Sequence, residues 1–267
     1  MEVRRGVYRH AVGRTRMKAE AVARLRGIAR TAGAVALAAG VVVAVVEANG
    51  WKEHLKVTAV RCEGNRIVPD SDLLRLASVP RGSRLFGVDL AAVQTRVRQN
   101  PYLRSAYARR EIPGEIVLEV EERVPIATIP QNPQVYVDAD GMVLPAVVSD
   151  VSFDLPLLTG VGSVPAAGKR LTDSTALEAL QVLAMARRIG DEAYRRVSEV
   201  HVERGREIVV FTAEAGVPVV FGRGDTAEKM AKFEAFWSEI VPQHDVHQLQ
   251  YVDLRFRNQV VVRWAQN

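Results

Sequence analysis

Cysteine is almost absent from this 267-residue chain. Cys62 stands alone, so no disulfide can close within the chain and stability has to come from packed cores. Aromatic residues make up only 6 %, and after residue 52 no basic face interleaved with aromatics appears, which argues against nucleic-acid binding. Charge of one sign is also lacking over most of the chain. Residues 1–30 carry nine Lys or Arg against Glu2 and Glu20, a net charge of +7, while the whole chain is +5, so residues 31–267 sum to −2.

Long apolar runs are scarce too, and the main one lies directly after the basic segment. Thr31 to Val46 reads TAGAVALAAGVVVAVV, sixteen consecutive uncharged residues. At 1.5 Å per residue such a helix covers about 24 Å, short of the ~30 Å hydrocarbon core. Extension back to Gly27 and forward to Ala48 closes the gap, because Arg30 can snorkel and Glu47 falls near an interface. Trp51 then occupies an interfacial position. A cleaved signal peptide and an ordinary buried helix are the competing readings. The basic region is far longer than a usual signal n-region and no clear A-x-A site follows, so an uncleaved anchor is expected over 31–48. Lys and Arg flanking a span stay on the cytoplasmic side, which puts residues 1–30 inside and the remainder outside.

Complete catalytic signatures are missing as well. His244 and His247 form an H-D-V-H cluster without a third or fourth ligand. Gly222-Arg-Gly224 precedes a helix but completes neither phosphate-binding pattern, and Asp225 would repel an anion. Ser163 lacks the full nucleophile elbow. The carboxylate pairs Glu121–Glu122 and Asp138/Asp140 read as solvated. No metal, cofactor or catalytic residue is expected, and Cys62 is expected to be a buried structural thiol.

What is present is a two-part pattern of strands and helices. Residues 57–65 alternate as a half-buried strand. A short helix follows Pro69, with Leu73, Leu74 and Ala77 apolar, and a second runs from Asp89 to Arg98 on Leu90, Val93 and Val97. Tyr102–Glu111 and Ile116–Val124 are strands joined through Pro113-Gly114, which suits a type II turn. The order is strand, helix, helix, strand, strand. Short strands dominate after Pro125: 135–137, 142–144, 197–203, 207–213 and 217–221. They are interrupted by a helix of about 15 residues with Thr175 and Glu178 as a capping box and Gly190 as its stop. Another helix opens at Asp225 on Met230, Phe233, Trp237 and Ile240. Gln248–Phe256 and Gln259–Trp264 read as a terminal hairpin. The fold class is α+β, with a sheet-rich second domain.

This order of elements resembles the FtsQ/DivIB family of bacterial cell division proteins. VTAVRCEGNRIVPDSDLL looks like the opening of a POTRA domain, and NPYLRSAYARREIPGEIVLEVEERVPIA is similar to its closing hairpin. VYVDADGMVLP and LPLLTG resemble the start of the family's β domain, and YVDLRFRNQVVVRW its last two strands. The resemblance implies a basic cytoplasmic tail (1–30), a transmembrane helix (31–48), a β-α-α-β-β POTRA domain (55–125) and a β domain (126–267). It further implies a scaffold without catalytic activity or cofactor, held in the cytoplasmic (inner) membrane at the division septum. There it would join FtsB and FtsL, with other division proteins reaching the POTRA domain. In the family the last β strand receives a strand of FtsB. Matched position by position, this points to Arg255, Phe256, Asn258, Val260 and Trp264 as partner-facing, with Val252 and Leu254 left to the core. Asn258-Gln259 departs from some relatives, in which a more glycine-rich turn is expected. A POTRA-containing protein of secretion or outer-membrane assembly and a membrane-anchored envelope enzyme are the alternatives.

Overall fold

The computed structural model describes residues 30–45, 47, 50–146, 153–203 and 207–265; most of the basic tail lies outside the described residues. Helix α1 covers 30–45, and Val35, Leu37, Val41, Val42, Val43 and Val45 on it are all more than half exposed. Among the described residues no helix is long and apolar enough to cross a membrane.

The first sheet is built from β1 (Ala59–Glu63), β2 (Leu103–Glu111) and β3 (Glu115–Glu122), in the order β1-β3-β2. β1 runs parallel to β3 and β2 antiparallel to it. The helices α2 (Asp70–Ala77) and α3 (Leu90–Val97) place Leu73, Ala77, Val93 and Val97 in one core with Ile116, Leu118 and Val120. Leu74 is exposed rather than inward, because two turns of helix present only one stripe to the sheet. Asp89 caps α3 by accepting the Ala92 N–H at 3.1 Å. The expected type II turn is not formed: the Ile112–Pro113 bond is cis and Gly114 is not among the positive-φ residues, whereas type II requires positive φ at its second central position. Glu122 is also not the solvated carboxylate expected. It accepts the backbone N–H groups of Arg66, Ile67 and Val68 at 2.8–2.9 Å and so fixes the approach to α2.

The second sheet holds nine strands among the described residues. These are β4 (Pro125–Ile129), β5 (Val135–Asp138), β6 (Val143–Pro145), β7 (Leu157–Thr159), β8 (Val197–Val202), β9 (Ile208–Thr212), β10 (Pro218–Val220), β11 (Leu249–Asp253) and β12 (Val261–Trp264). Their order is β12-β11-β10-β9-β8-β7-β4-β5-β6. Parallel pairs β4–β7, β7–β8 and β10–β11 join otherwise antiparallel neighbours. The helices α4 (Ser174–Ile189), α5 (Asp191–Arg195) and α6 (Thr226–Ala235) supply Leu180, Leu183, Tyr194, Met230 and Phe233 to the core against β8, β9 and β11.

Two local expectations are corrected here. The cap of α4 is Asp173, whose carboxylate accepts from Thr175 N at 2.8 Å and Ala176 N at 3.3 Å; an aspartate at this position is worth about 1 kcal/mol. Thr175 is buried with its hydroxyl unpartnered. At the end of α6 the helix widens into a π turn over Phe236–Ile240, which shifts the face by part of a turn and leaves Ile240 exposed while Trp237 stays buried.

The two sheets share packing. Tyr136 and Leu144, on β5 and β6, belong to the core of the three-stranded sheet, and the Tyr102 hydroxyl donates to the Pro145 carbonyl at 2.7 Å. Asp138, expected to be solvated, is 3 % exposed. It receives Arg123 Nη1 at 2.7 Å and the N–H groups of Asp140 and Met142, which offsets the cost of burying the charge.

Candidate functional site

β12 is the last strand of the nine-stranded sheet in spatial order and, among the described residues, pairs on one side only. It runs antiparallel to β11, with Val262 opposite Val252 and Val261 opposite Asp253, and the register shifts between Leu249 and Tyr251. Beyond it, Ala265 N donates to Gln248 O at 2.7 Å. Backbone groups alternate sides along a strand, so those of Trp264 and Val262 point to the open edge. Val260, Val262 and Trp264 pack against the core while half-buried, and the Trp264 ring stacks on His244 at 4.7 Å and 22°. Val261 and Arg263 take the other face, as the two-residue period of a strand demands.

The loop from Leu254 to Val260 shapes the approach to this edge. Asp253 is 6 % exposed and holds Arg255 through its backbone N–H at 3.0 Å and its guanidinium at 2.7–3.2 Å. Arg255 Nη1 reaches Glu207 at 3.0 Å. Burial pushes the Asp253 carboxyl up, but the hydrogen bonds and charge of Arg255 outweigh it and hold the group below the usual carboxylate range. Gly222 makes the crossing possible. Its φ is +64, and an added Cβ would lie 2.8 Å from Arg255 Cγ. Asn258 has φ 59; asparagine is one of the few side chains that tolerate this left-handed geometry, so it serves where relatives were expected to use glycine. Phe256 is 45 % exposed, and its carbonyl accepts Lys232 Nζ at 3.1 Å.

The five residues expected to face a partner therefore fall into two groups. Phe256 and Asn258 stand exposed in the loop, and Arg255 is engaged with Asp253 and Glu207. Val260, just before the edge strand, and Trp264, at its end, both pack against the core. Val252 and Leu254 are fully buried. Sequence reasoning did not pick out Val262, whose outward N–H follows from the register of β12 on β11, nor the clamp between Asp253 and Arg255. His244 was weighed only as a metal ligand, and its ring instead stacks on Trp264.

The opposite edge is closed. Val143 of β6 donates to Lys169 O at 2.9 Å and accepts from Gly168 N at 2.8 Å, Met142 bridges to Arg170, and the strand ends at Pro145, which has no N–H to offer.

Other chemical candidates are occupied by structural contacts. The Gly222-Arg-Gly224 turn binds a carboxylate of the same chain: Glu178 accepts from Gly224 N and from Arg223 Nε, the latter at 2.7 Å. Thr159 Oγ1 contacts both the Glu199 carboxylate and His201 Nδ1, the latter at 2.6 Å. A nucleophilic relay would need the imidazole between hydroxyl and carboxylate, and here the hydroxyl is in the middle. Burial pushes the half-buried Cys62 thiol up to about 11, away from reactivity. Among the described residues no group of three or more His, Cys, Asp or Glu could hold a metal ion.

Two family models match the chain. The one described as POTRA domain, FtsQ-type, covers residues 55–123, and the one described as Cell division protein FtsQ/DivIB, C-terminal, covers residues 127–255. The cell division protein FtsQ of Rhodothermus marinus is 32 % identical over 220 residues, covering 80 % of this chain and 79 % of its own length. The chain belongs to the FtsQ/DivIB family of cell division proteins. FtsQ of Geotalea daltonii is 30 % identical over 193 residues, 72 % of this chain and 70 % of that protein. FtsQ of Streptomyces coelicolor is 28 % identical over 215 residues, 78 % and 79 % of the two chains. The FtsQ/DivIB C-terminal match ends at Arg255, at the clamp, so the edge strand and most of its loop lie just past it.

Proposed function

We propose that this FtsQ/DivIB protein is a non-catalytic, bitopic scaffold of the division machinery, whose β12 edge captures an extended strand of FtsB. FtsL completes the complex, which helps control septal peptidoglycan synthesis. Residues 31–48 anchor the chain in the cytoplasmic membrane with the tail 1–30 inside, and the POTRA domain (55–125) and β domain (126–267) stand outside at the septum. The basic tail supports this orientation, as does the apolar, solvent-exposed surface of α1.

The open β12 edge carries the reading. Unpaired N–H and C=O groups of an edge strand are satisfied by an added strand, and neighbouring side chains set which strand fits. Phe256 and Trp264 flank the edge as aromatic anchors, the class in which binding energy concentrates. Replacement of Trp264 by Ala is expected to weaken FtsB capture by about 2 kcal/mol, a ~30-fold loss, and Phe256→Ala by less, since that residue is 45 % exposed in the loop. Titration of the full-length chain with FtsB, alongside circular dichroism, measures this. Unchanged affinity in both folded variants would remove the terminal hairpin as the docking site.

A further inference from the structure

The two ends of the POTRA sheet differ in chemistry. β1 and β3 start side by side at Ala59 and Glu115, and β2 finishes opposite Glu115 at Glu111. The 3-10 turn Trp51–His54 and the loop between α2 and α3 gather at this same end. Leu85 N donates to Leu55 O and Val57 N to Ser83 O, each at 2.8 Å, and Lys56 bridges to Arg84. The hairpin tip joins them, because Thr58 N donates to Gly114 O at 2.8 Å. The other end of the sheet carries Glu122 and leads through Pro125 into the nine-stranded sheet.

At the first end three large apolar side chains from three separate segments stand in solvent. Trp51 is 44 % exposed, Phe86 41 % and Ile112 60 %. Cations share this end of the domain. Lys52 and Arg110 lie 5.8 and 5.6 Å from the centre of the Phe86 ring, and Lys56, Arg81 and Arg84 are exposed without an ion pair among the described residues. The acids nearby are fewer or engaged. Asp89 caps α3, Glu111 and Glu115 pair with Arg61 and, for Glu111, also Arg109, and Glu53 is exposed. Apolar side chains beside cations are the composition that settles at the boundary between headgroups and acyl chains of an anionic bilayer.

Position supports the same occupant. Trp51 follows Val45, on α1, by six residues, which at full extension span only about 20 Å. A surface tethered this closely to the point where α1 enters the membrane is held at high local concentration against it.

We propose that this end of the POTRA domain rests on the outer face of the bilayer, with Trp51, Phe86 and Ile112 at the acyl boundary and Lys56, Arg81 and Arg84 on lipid phosphates. The inference rests on the anchoring role proposed for residues 31–48. Its consequence is orientation: the opposite end of the POTRA sheet, and with it the nine-stranded sheet, is directed away from the membrane, which fixes the side from which the β12 edge is approached.

The test uses the full-length chain, Cys62→Ala, in vesicles of phosphatidylglycerol and phosphatidylcholine, with one nitroxide at Ile112→Cys, Ser71→Cys or Leu37→Cys. Collision with oxygen reports lipid and collision with a nickel chelate reports water. The Ile112 label is expected to meet the nickel chelate several-fold less often than the Ser71 label at the far end. It should return to the Ser71 value in Arg81→Glu/Arg84→Glu and in vesicles of phosphatidylcholine alone. An Ile112 label as wet as the Ser71 label, with the Leu37 label in hydrocarbon, overturns the inference and leaves the anchor standing. A wet Leu37 label overturns the anchor and the inference together.

Discussion

The two edges of the nine-stranded sheet are treated in opposite ways. At β6 the strand is three residues long, ends in Pro145, and has both its N–H and C=O at Val143 taken by the segment 168–169. At β12 four residues of strand carry no such strap among the described residues, and the backbone groups of Val262 and Trp264 face outward. An unprotected edge is a template for unwanted pairing, and sheet proteins ordinarily blunt it. This chain blunts one edge thoroughly and, among the described residues, leaves the other open. The contrast supports the docking edge proposed above without reference to any relative, and the residues around it explain how an open edge stays shaped. The Asp253–Arg255–Glu207 clamp and the left-handed Asn258 fix the loop, and the stack of Trp264 on His244 pins the strand from the core side.

The largest effect should come from closing the open edge in the way the other is closed. Val262→Pro removes an outward N–H without touching the ladder to β11, and leaves a partner acceptor unsatisfied. The expected cost to FtsB capture is about 2–3 kcal/mol, a ~30- to 100-fold loss, with the melting temperature of the chain shifted by only a few degrees. A variant that captured FtsB normally would break the comparison, since β12 would then be free for some reason other than pairing.

A smaller effect is expected from loosening the closed edge. Gly168 has φ +83 with its N–H on Val143 O, and a Cβ there has room, its nearest neighbour being Pro101 at 3.5 Å. The penalty of Gly168→Ala is therefore conformational, about 1–2 kcal/mol. Denaturant unfolding should register that loss while FtsB capture stays unchanged. A matching drop in capture would mean the strap, and not β12, bears on the partner.

Local pattern made much of this legible. The apolar spacings of α3, α4 and α6, the short apolar runs of β8 and β9 and the existence of the terminal hairpin are all carried by side chains close in sequence. The sheet order was not. The parallel contacts of β4 with β7 and β10 with β11 join segments whose residues carry no mark of their partner, and whether an edge is covered depends on a strap 25 residues away in sequence, from Val143 to Gly168. Burial of polar groups was misjudged for a similar reason. Glu122 and Asp138 look like surface carboxylates until the amides of residues 66–68 and the guanidinium of Arg123 converge on them. At the candidate site the aromatic and turn residues were readable, but the clamp on Arg255 and the outward backbone of Val262 emerge only from register.

The smallest effect separates the edges by acid. Asp253 is the one carboxylate that both receives Arg255 and pairs across from Val261 at the start of β12. Burial raises its pKa, the Arg255 bonds lower it further, and the net shift is downward. An unfolded aspartate titrates near 3.9. A depressed folded value contributes stability that is complete above about pH 3.9 and is lost as pH falls through the folded value. Amide exchange at Val261 and Arg263, whose N–H groups face β11, corrected for its intrinsic pH dependence, should therefore accelerate below about pH 4. The Gly168 amide, held by a carbonyl with no titratable group in the bond, should keep its protection over the same range. Asp253→Asn should abolish the acid-driven increase at β12 by leaving that strand equally loose at all pH values. Equal acid sensitivity at both edges would show that the sheet opens as a unit, and the open edge would then owe its shape to the whole sheet and not to the clamp.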